Sequence, residues 1–154
     1  LNPDRDPLGA GYQIIQSKIA VGSGGLFGKG FLQGTQSYLE FLPEKHTDFI
    51  FTLFSEEFGF LGSVILLLIY AIIIYRVIKI GSISRSYFAK LFCYSFGGSL
   101  FVFITINMSM VLGLLPIVGS PLPIMSYGGS SMLATMIGFG IVMSAKIHSK
   151  QAIA

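Results

Sequence analysis

Long apolar stretches fill most of the chain beyond residue 57, and short polar or basic segments separate them. The stretches cover about residues 58–78, 91–112 and 130–145. Because a helix needs roughly 20 mostly apolar residues to cross a bilayer, the pattern predicts three membrane-spanning helices. The third stretch is short and rich in glycine and serine, so we expect it to pack inside protein rather than against lipid.

The first 48 residues are more polar and predict short helices rather than a span. Apolar residues alternate with polar neighbours over 12–21, which predicts a short helix along the membrane interface. Further on, Pro43 is followed by Thr47 and Asp48, either of which could cap a new helix. We therefore expect a helix to begin near Asp48 and to continue into the first span.

Residues 22–30 are too rich in glycine for the interior of a helix. They do not match the phosphate-binding P-loop template, because only three residues separate Gly24 from Gly28 and because Gly30 follows Lys29. Two interpretations stay open: a turn or re-entrant segment, and a different phosphate site formed by backbone N–H groups and Lys29.

Two adjacent carboxylates, Glu56 and Glu57, would lie about two turns inside the helix that begins near Asp48. An ionised carboxylate that faces lipid is expensive, so at least one of the two should face protein or a water-filled cavity. A break of the helix near Gly59 would relieve the same cost. The sequence does not decide between these solutions.

The other two spans carry small and polar residues that predict helix packing. Ser130, Ala134 and Gly138 form a ladder of small residues at four-residue spacing, which lets helices approach closely in lipid. Asn107 is a polar group in an apolar span, so we expect the backbone of a neighbouring helix to be its partner. Cys93 is the only cysteine, and we interpret it as a small packing residue.

Composition confirms the membrane class and excludes an ordinary soluble domain. The chain has 154 residues, 53% of them hydrophobic and 11% charged, with a mean hydropathy of +0.75, whereas soluble domains carry about 25% charged residues. It starts on a polar segment without a signal-peptide pattern. We expect it to be the C-terminal piece of a longer membrane protein.

The net charge of +3 could indicate a nucleic-acid partner, but its distribution indicates a membrane instead. Basic residues cluster at 76–90 and 146–150, and short loops rich in lysine and arginine stay cytoplasmic. This predicts an extracytoplasmic loop over 1–48, a membrane domain over 49–154 with a cytoplasmic C-terminus, and a second outer loop over 113–129. All seven acidic residues fall within the first 57 positions, so the carboxylates gather on the outer side.

The residues that surround Asp48 in the sequence make it a candidate general base. It precedes the apolar residues 49–51, so partial desolvation would raise its pKa, while the neighbouring His46 and Lys45 would lower it. Opposed effects of this kind are typical of functional carboxylates. The alternative is that Asp48 only caps a helix.

Other charged residues of the outer segment have two interpretations each. Glu40 and Glu44 suit solvated carboxylates or partners of Lys45. Lys18, Lys29 and Lys45 supply cations that an anionic lipid or a pyrophosphate would need, although ordinary headgroup contact explains them too.

Several motifs together resemble the SEDS family (shape, elongation, division and sporulation), which includes RodA, FtsW and SpoVE. They span nearly the whole chain and occur in the family's order: residues 12–20, 22–25, 42–51 and 55–57, then Asn107, Gly113, Leu114, Pro116, Gly119 and 124–131. Residues 17–20, 28–30 and 34–37 resemble the RodA branch more than FtsW. Ser120 and Phe31 depart from the usual pattern, and neither touches the expected chemistry.

The resemblance implies an all-α, polytopic membrane protein of the bacterial plasma membrane. In a ten-helix bundle, this chain would supply the last three helices and the large outer loop with short helices. The resemblance also implies a peptidoglycan glycosyltransferase that polymerises lipid II for cell-wall elongation, acting on glycan linked to undecaprenyl pyrophosphate together with a class B penicillin-binding protein.

The family's essential outer-loop aspartate aligns with Asp48, and Glu40 matches a second carboxylate. Lys18, Lys29, Lys45 and His46 are the candidates for contact with the substrate. Catalysis leaves room for a divalent cation, Mg²⁺ or Mn²⁺, but a lone carboxylate makes a poor magnesium site without substrate oxygens.

Two other functions compete with polymerisation. A lipid II flippase would need a polar path across the membrane, and a non-catalytic scaffold would need only a surface for its partner. The predicted spans carry few charges and no ladder of acidic residues, which favours the polymerase.

Overall fold

The computed structural model describes residues 10–30, 33 and 48–149. This part of the chain is all helical and contains no strand. Its helices are α1 (Ala10–Ser23), α2 (Ile50–Ile83), α3 (Tyr87–Val111) and α4 (Gly129–Ile147). Helices α2, α3 and α4 are each long and apolar enough to cross a membrane, so the prediction of three spans is confirmed. The short helix expected over 12–21 is α1, and its position at the membrane interface stays a prediction.

Helix α2 is broken at Gly59, whose φ of 66° and ψ of −163° are not helical. The break leaves a short first segment, 50–58, and a long second one, 60–83. At 1.5 Å per residue the second segment is about 36 Å long and can cross the bilayer alone. The sequence left two solutions open for Glu56 and Glu57: burial of a carboxylate against protein or a cavity, and a break near Gly59. The structure contains the break.

At the end of the bundle that holds the C-termini of α2 and α4, the three spans meet in an apolar core. Val77, Cys93, Val142 and Ala145 are buried together there, which confirms Cys93 as a packing residue. Close contact depends on small side chains, because a Cβ added to Gly138 would lie 2.6 Å from Cζ of Phe96. The small-residue ladder therefore acts through Gly138 of α4.

Apolar side chains also cover the outward faces of the three spans. Phe60, Phe101 and Leu133 are 63%, 60% and 62% exposed. Contiguous apolar surface of this kind suits lipid or further helices and does not suit water.

The loop between α3 and α4 folds back into the bundle. Leu122 is 1% exposed within it, and the hydroxyl of Tyr70, in the middle of α2, donates a hydrogen bond to the carbonyl oxygen of Pro123 at 2.5 Å. Tyr70 lies about 15 Å along α2 from Phe60. The charge pattern predicts this loop on the outer side, and the structure adds that its second half packs between helices.

Candidate functional site

Asp48 lies in the turn before α2 and is 6% exposed. Its main-chain carbonyl accepts a hydrogen bond from Nδ2 of Asn107 at 2.9 Å, and the same amide donates to the carbonyl of Ser120 at 2.6 Å. Asn107 is fully buried in α3. One amide group thus joins the turn before α2, the helix α3 and the loop after α3.

The prediction that Asn107 bonds to the backbone of a neighbouring helix is wrong. The acceptors belong to a turn and a loop, where carbonyl groups have no helical partner and remain free to accept. The physical reasoning that a buried amide needs a backbone acceptor holds, but the acceptor lies in irregular structure.

Gly119 brings the loop against the carboxylate of Asp48. A Cβ added to Gly119 would lie 3.5 Å from Oδ2 of Asp48, which is ordinary contact. The φ of Gly119 is 63°, a conformation that favours glycine. This glycine therefore sets the path of the loop beside the candidate base.

Two buried polar atoms near Asp48 make no hydrogen bond within the described part of the chain. They are Oδ1 of Asn107 and Oγ of Ser120. Oγ1 of Thr52, one turn after Asp48, is in the same condition. Buried polar atoms are usually paired, so a cluster of this kind marks a place where a polar group from outside the described residues is favoured.

Phe49 occupies the cap position of α2 and makes no side-chain hydrogen bond there. Asp48 therefore lies one residue before the cap. The alternative in which Asp48 only caps the helix stays a prediction.

The glycine-rich segment after α1, residues 24–30, runs along the break in α2. A helix break leaves carbonyl and N–H groups without helical partners. Four main-chain hydrogen bonds satisfy them: Lys29 N to Glu56 O (3.0 Å), Gly30 N to Glu57 O (3.1 Å), Phe60 N to Gly25 O (2.9 Å) and Leu61 N to Leu26 O (3.1 Å). We call residues 24–30 the splint.

Glycine in the splint permits direct contact between two backbones. A Cβ added to Gly24 would lie 3.1 Å from Cα of Glu56, and Gly28 has a φ of 80°. Of the two interpretations left open, the turn is the one observed. The amide groups of Gly28, Lys29 and Gly30 donate to main-chain carbonyls.

Glu56 is fully buried, and its Oε1 lies 2.7 Å from Nζ of Lys29. The prediction that at least one of the paired carboxylates faces protein is confirmed for Glu56. Lys29 is thus engaged in an ion pair, and a phosphate would have to compete with Glu56 for it. Contact of Lys29 with substrate stays a prediction.

Lys18 belongs to α1, and its side chain lies beside Gly113, at the start of the loop that passes Asp48. A Cβ added to Gly113 would lie 2.7 Å from Nζ of Lys18, and Lys18 is exposed. Ser17 directly precedes Lys18 in α1, and its Oγ donates a hydrogen bond to the carbonyl oxygen of Val111 at 2.9 Å. This bond anchors α1 to the end of α3. The loop 113–120 therefore has Lys18 at its start and Asp48 near its end.

The remaining candidates, Glu40, Lys45 and His46, lie outside the described residues. Within the described ranges, no group of three or more histidine, cysteine, aspartate or glutamate side chains comes together to hold a metal ion. The sequence did not predict the Lys29–Glu56 pair. Its only signal was the carboxylate inside an apolar helix.

An apolar cavity of about 580 Å³ opens beside Ile50, two residues after Asp48. It is lined by Ile50, 125–129 and Met132. This volume is in the range of small-molecule sites, roughly 300–1,000 Å³. The cavity therefore reaches the first turn of α2, two residues along the chain from Asp48.

Comparison with known proteins shows which family has this sequence and fold. The profile of the FtsW/RodA/SpoVE family, described as cell cycle protein, matches residues 1–151. The chain is 55% identical over 150 residues to the peptidoglycan glycosyltransferase MrdB of Escherichia coli K12, covering 97% of this chain and 40% of that protein. It is 46% identical over 151 residues to the peptidoglycan glycosyltransferase RodA of Treponema pallidum, covering 98% of this chain and 34% of RodA.

A solved structure has the same fold. A chain of a peptidoglycan synthase complex, in which polymerization and crosslinking are coordinated, superimposes with a TM-score of 0.79 at 32% identity, covering 97% of this chain and 40% of that one. This chain therefore spans well under half the length of the relatives that it matches. The shared fold, together with three helices able to cross a membrane, makes it a multi-pass membrane protein. The chain belongs to the FtsW/RodA/SpoVE family of cell cycle proteins.

Proposed function

We propose that this chain carries the catalytic carboxylate of a peptidoglycan glycosyltransferase that polymerises lipid II. The observation that carries the proposal is the placement of Asp48: a buried carboxylate at the junction of α2, α3 and the loop after α3, held there through Asn107. The relatives named as peptidoglycan glycosyltransferases support the reaction class.

In the proposed reaction, the 4-hydroxyl of one sugar attacks the anomeric carbon of another, and undecaprenyl pyrophosphate leaves. Asp48 accepts the hydroxyl proton as the new carbon–oxygen bond forms. A general base must come within about 2.6–3.2 Å of that hydroxyl. The rigid attachment of its main chain through Asn107 suits this requirement, because catalytic groups have to be held in place before the substrate arrives.

Cations and an apolar compartment complete the proposed site. Lys18 of α1 is exposed beside the start of the loop that passes Asp48 and can neutralise the departing pyrophosphate. The apolar cavity beside Ile50 suits the first isoprene units of the lipid carrier. We keep Lys29, Lys45 and His46 as proposed substrate contacts and Glu40 as a proposed second carboxylate. No step is assigned to a metal ion.

The proposed setting is the outer face of the bacterial plasma membrane, with a class B penicillin-binding protein as partner. Residues 1–48 form the extracytoplasmic loop in this proposal, and the basic ends of the spans lie in the cytoplasm. In this orientation Asp48 and the basic ends of the spans lie at opposite ends of the bundle.

A flippase is less well supported by the packing. The buried polar side chains concentrate at the Asp48 end, whereas the core around Val77, Cys93 and Val142 at the opposite end is apolar. This part of the protein therefore offers no continuous polar path along the spans that the structure describes. A scaffold would not need a buried carboxylate beside a cavity.

Conversion of Asp48 to asparagine tests the proposal in the complete, purified protein. Asp48→Asn keeps the shape but cannot accept the proton, and loss of a general base costs about 10²–10⁴-fold in rate. Asp48→Glu should also be nearly inactive, because a longer side chain displaces the carboxylate. Lipid II polymers separated on a gel report the activity.

Glu57→Gln is the matched control, since it changes a nearby half-buried carboxylate to an amide. It should polymerise at close to the wild-type rate. Full activity of Asp48→Asn would end the catalytic assignment, and a wild-type protein without polymerase activity would favour the flippase or the scaffold.

A further inference from the structure

We infer that a basic pocket at the end of the bundle opposite Asp48 binds the phosphodiester headgroup of an anionic phospholipid. The cavity has a volume of about 420 Å³ and lies between the C-terminal ends of α2 and α4. Its lining contains three cationic side chains, Arg76, Lys79 and Lys146. This inference does not depend on the proposed glycosyltransferase activity.

None of the acidic side chains that the structure describes lies near this pocket to balance its positive charge. They are Asp48, Glu56 and Glu57, and Arg76 is about 26 Å along α2 from the break at Gly59. Within the described ranges the one ion pair is between Lys29 and Glu56, far from this end. The three cations are therefore free to bind an anion.

Helix dipoles do not account for these cations. A helix C-terminus carries about half a negative charge, which acts within the last turn only. Lys146 lies in the last turn of α4, but no basic residue lies in the last turn of α2. Arg76 and Lys79 come before that turn, so they lie outside the range of the α2 dipole.

The spacing of the cations suits a phosphate group. Arg76 and Lys79 are three residues apart and project from one face of α2. A guanidinium group binds two phosphate oxygens at once, and an ammonium group adds a point charge. Lys146 of α4 faces the same cavity, so the anion would be held between two helices.

The rest of the lining favours a lipid over free phosphate. Ile80 and Ile83 are apolar, and the ammonium of Lys79 lies 5.9 Å from the ring centroid of Tyr75. Tyrosine is typical of the membrane interface, where headgroups lie. A basic site with apolar walls, placed between spans on the side that carries the positive charge, is the kind of pocket that binds anionic headgroups.

Lipid binding to the complete protein tests the inference. The purified protein is stripped of lipid in detergent and titrated with phosphatidylglycerol, and bound lipid is counted by native mass spectrometry. Arg76→Gln/Lys79→Gln should weaken the binding of phosphatidylglycerol by about 10- to 100-fold, because each cation near a headgroup contributes substantially to the attraction.

Arg85→Gln/Lys90→Gln is the matched control, since it also removes one arginine and one lysine at this end but spares the lining. It should change the affinity by less than about threefold. Arg76→Lys/Lys79→Arg keeps both charges and should retain most of the binding, which separates loss of the site from loss of the fold.

Equal weakening by the two double substitutions, or none by either, would overturn the inference. Equal affinity for phosphatidylcholine would overturn it as well, because that headgroup carries no net charge. Displacement of the lipid by millimolar inorganic phosphate would show that phosphate alone occupies the pocket. Retention of the lipid under phosphate supports the lipid headgroup.

Discussion

Replacement of Lys29 by methionine should destabilise the protein more than replacement of Glu56 by glutamine. The reason is an asymmetry of burial: the side chain of Glu56 is 0% exposed, whereas that of Lys29 is 30% exposed. Lys29→Met removes the counter-ion that lies 2.7 Å from a fully buried carboxylate. Glu56→Gln leaves an ammonium group that is still partly hydrated and can donate to the new amide oxygen.

The distance between the two groups sets the magnitude. At 2.7 Å between Nζ and Oε1, and with an effective dielectric constant of about 20, the attraction is about 6 kcal/mol. Removal of one partner from a buried pair costs about 3–5 kcal/mol. We expect a loss in this range for Lys29→Met, and about 1–2 kcal/mol for Glu56→Gln, where a hydrogen bond survives.

The free energy of unfolding of the complete protein in mixed detergent micelles is the measurement. The double variant Lys29→Met/Glu56→Gln should recover part of the stability lost in Lys29→Met alone, because it no longer buries a charged carboxylate that has lost its lysine partner. A Lys29→Met protein as stable as Glu56→Gln would refute the argument from burial. A loss of substrate affinity without loss of stability would favour the phosphate contact instead.

Two further predictions concern the helix break and the orientation of the chain. Gly59→Ala should cost at least about 2 kcal/mol of unfolding free energy, because an L side chain is strained at a φ of 66° and its Cβ would clash with the backbone of the splint. Gly22→Ala is the control. A Cβ at Gly22 has open space around it, so this variant should be nearly neutral in the same measurement. Single cysteines at Thr35 and at the exposed Ser82, in a protein whose Cys93 is replaced by alanine, should be labelled from opposite sides of the membrane. Wild-type stability of Gly59→Ala, or labelling of both cysteines from outside, would contradict these expectations.

The parts of the fold that follow from local pattern were predictable from the sequence. The three spans, the helix over 12–21 and the packing role of Cys93 each depend on residues that are close in sequence, or on the simple absence of charge. The constraint on Glu56 was also predictable, because a carboxylate in an apolar helix needs protein around it.

Contacts between distant segments were not predictable. Lys29 and Glu56 are 27 residues apart, and Tyr70 and Pro123 are 53 apart. In each pair, the sequence around one residue gives no indication of which distant residue it contacts. For the same reason the sequence predicted only an outer loop over 113–129, because the contact that folds the loop back into the bundle comes from Tyr70, which is distant in sequence.

For the candidate site, the sequence identified Asp48 and its apolar neighbours but not the groups that hold it. Asn107 was identified as a buried amide with the wrong acceptor, and the beginning of α2 was placed one residue too early. Element ends of this kind are uncertain by one or two residues in any assignment, and here one residue separates a cap from a candidate base.

The splint has a consequence for how the protein is made. A buried backbone group without a hydrogen-bond partner costs free energy, so the break in α2 is not satisfied until residues 24–30 lie against it. Segment 60–83 can cross the bilayer by itself, and docking of residues 24–30 then completes the start of α2. Because the four hydrogen bonds are made in a fixed register, a single inserted or deleted residue between Gly24 and Gly30 would misalign the partners on one side of the break. The length of this short segment is thus constrained as tightly as its composition.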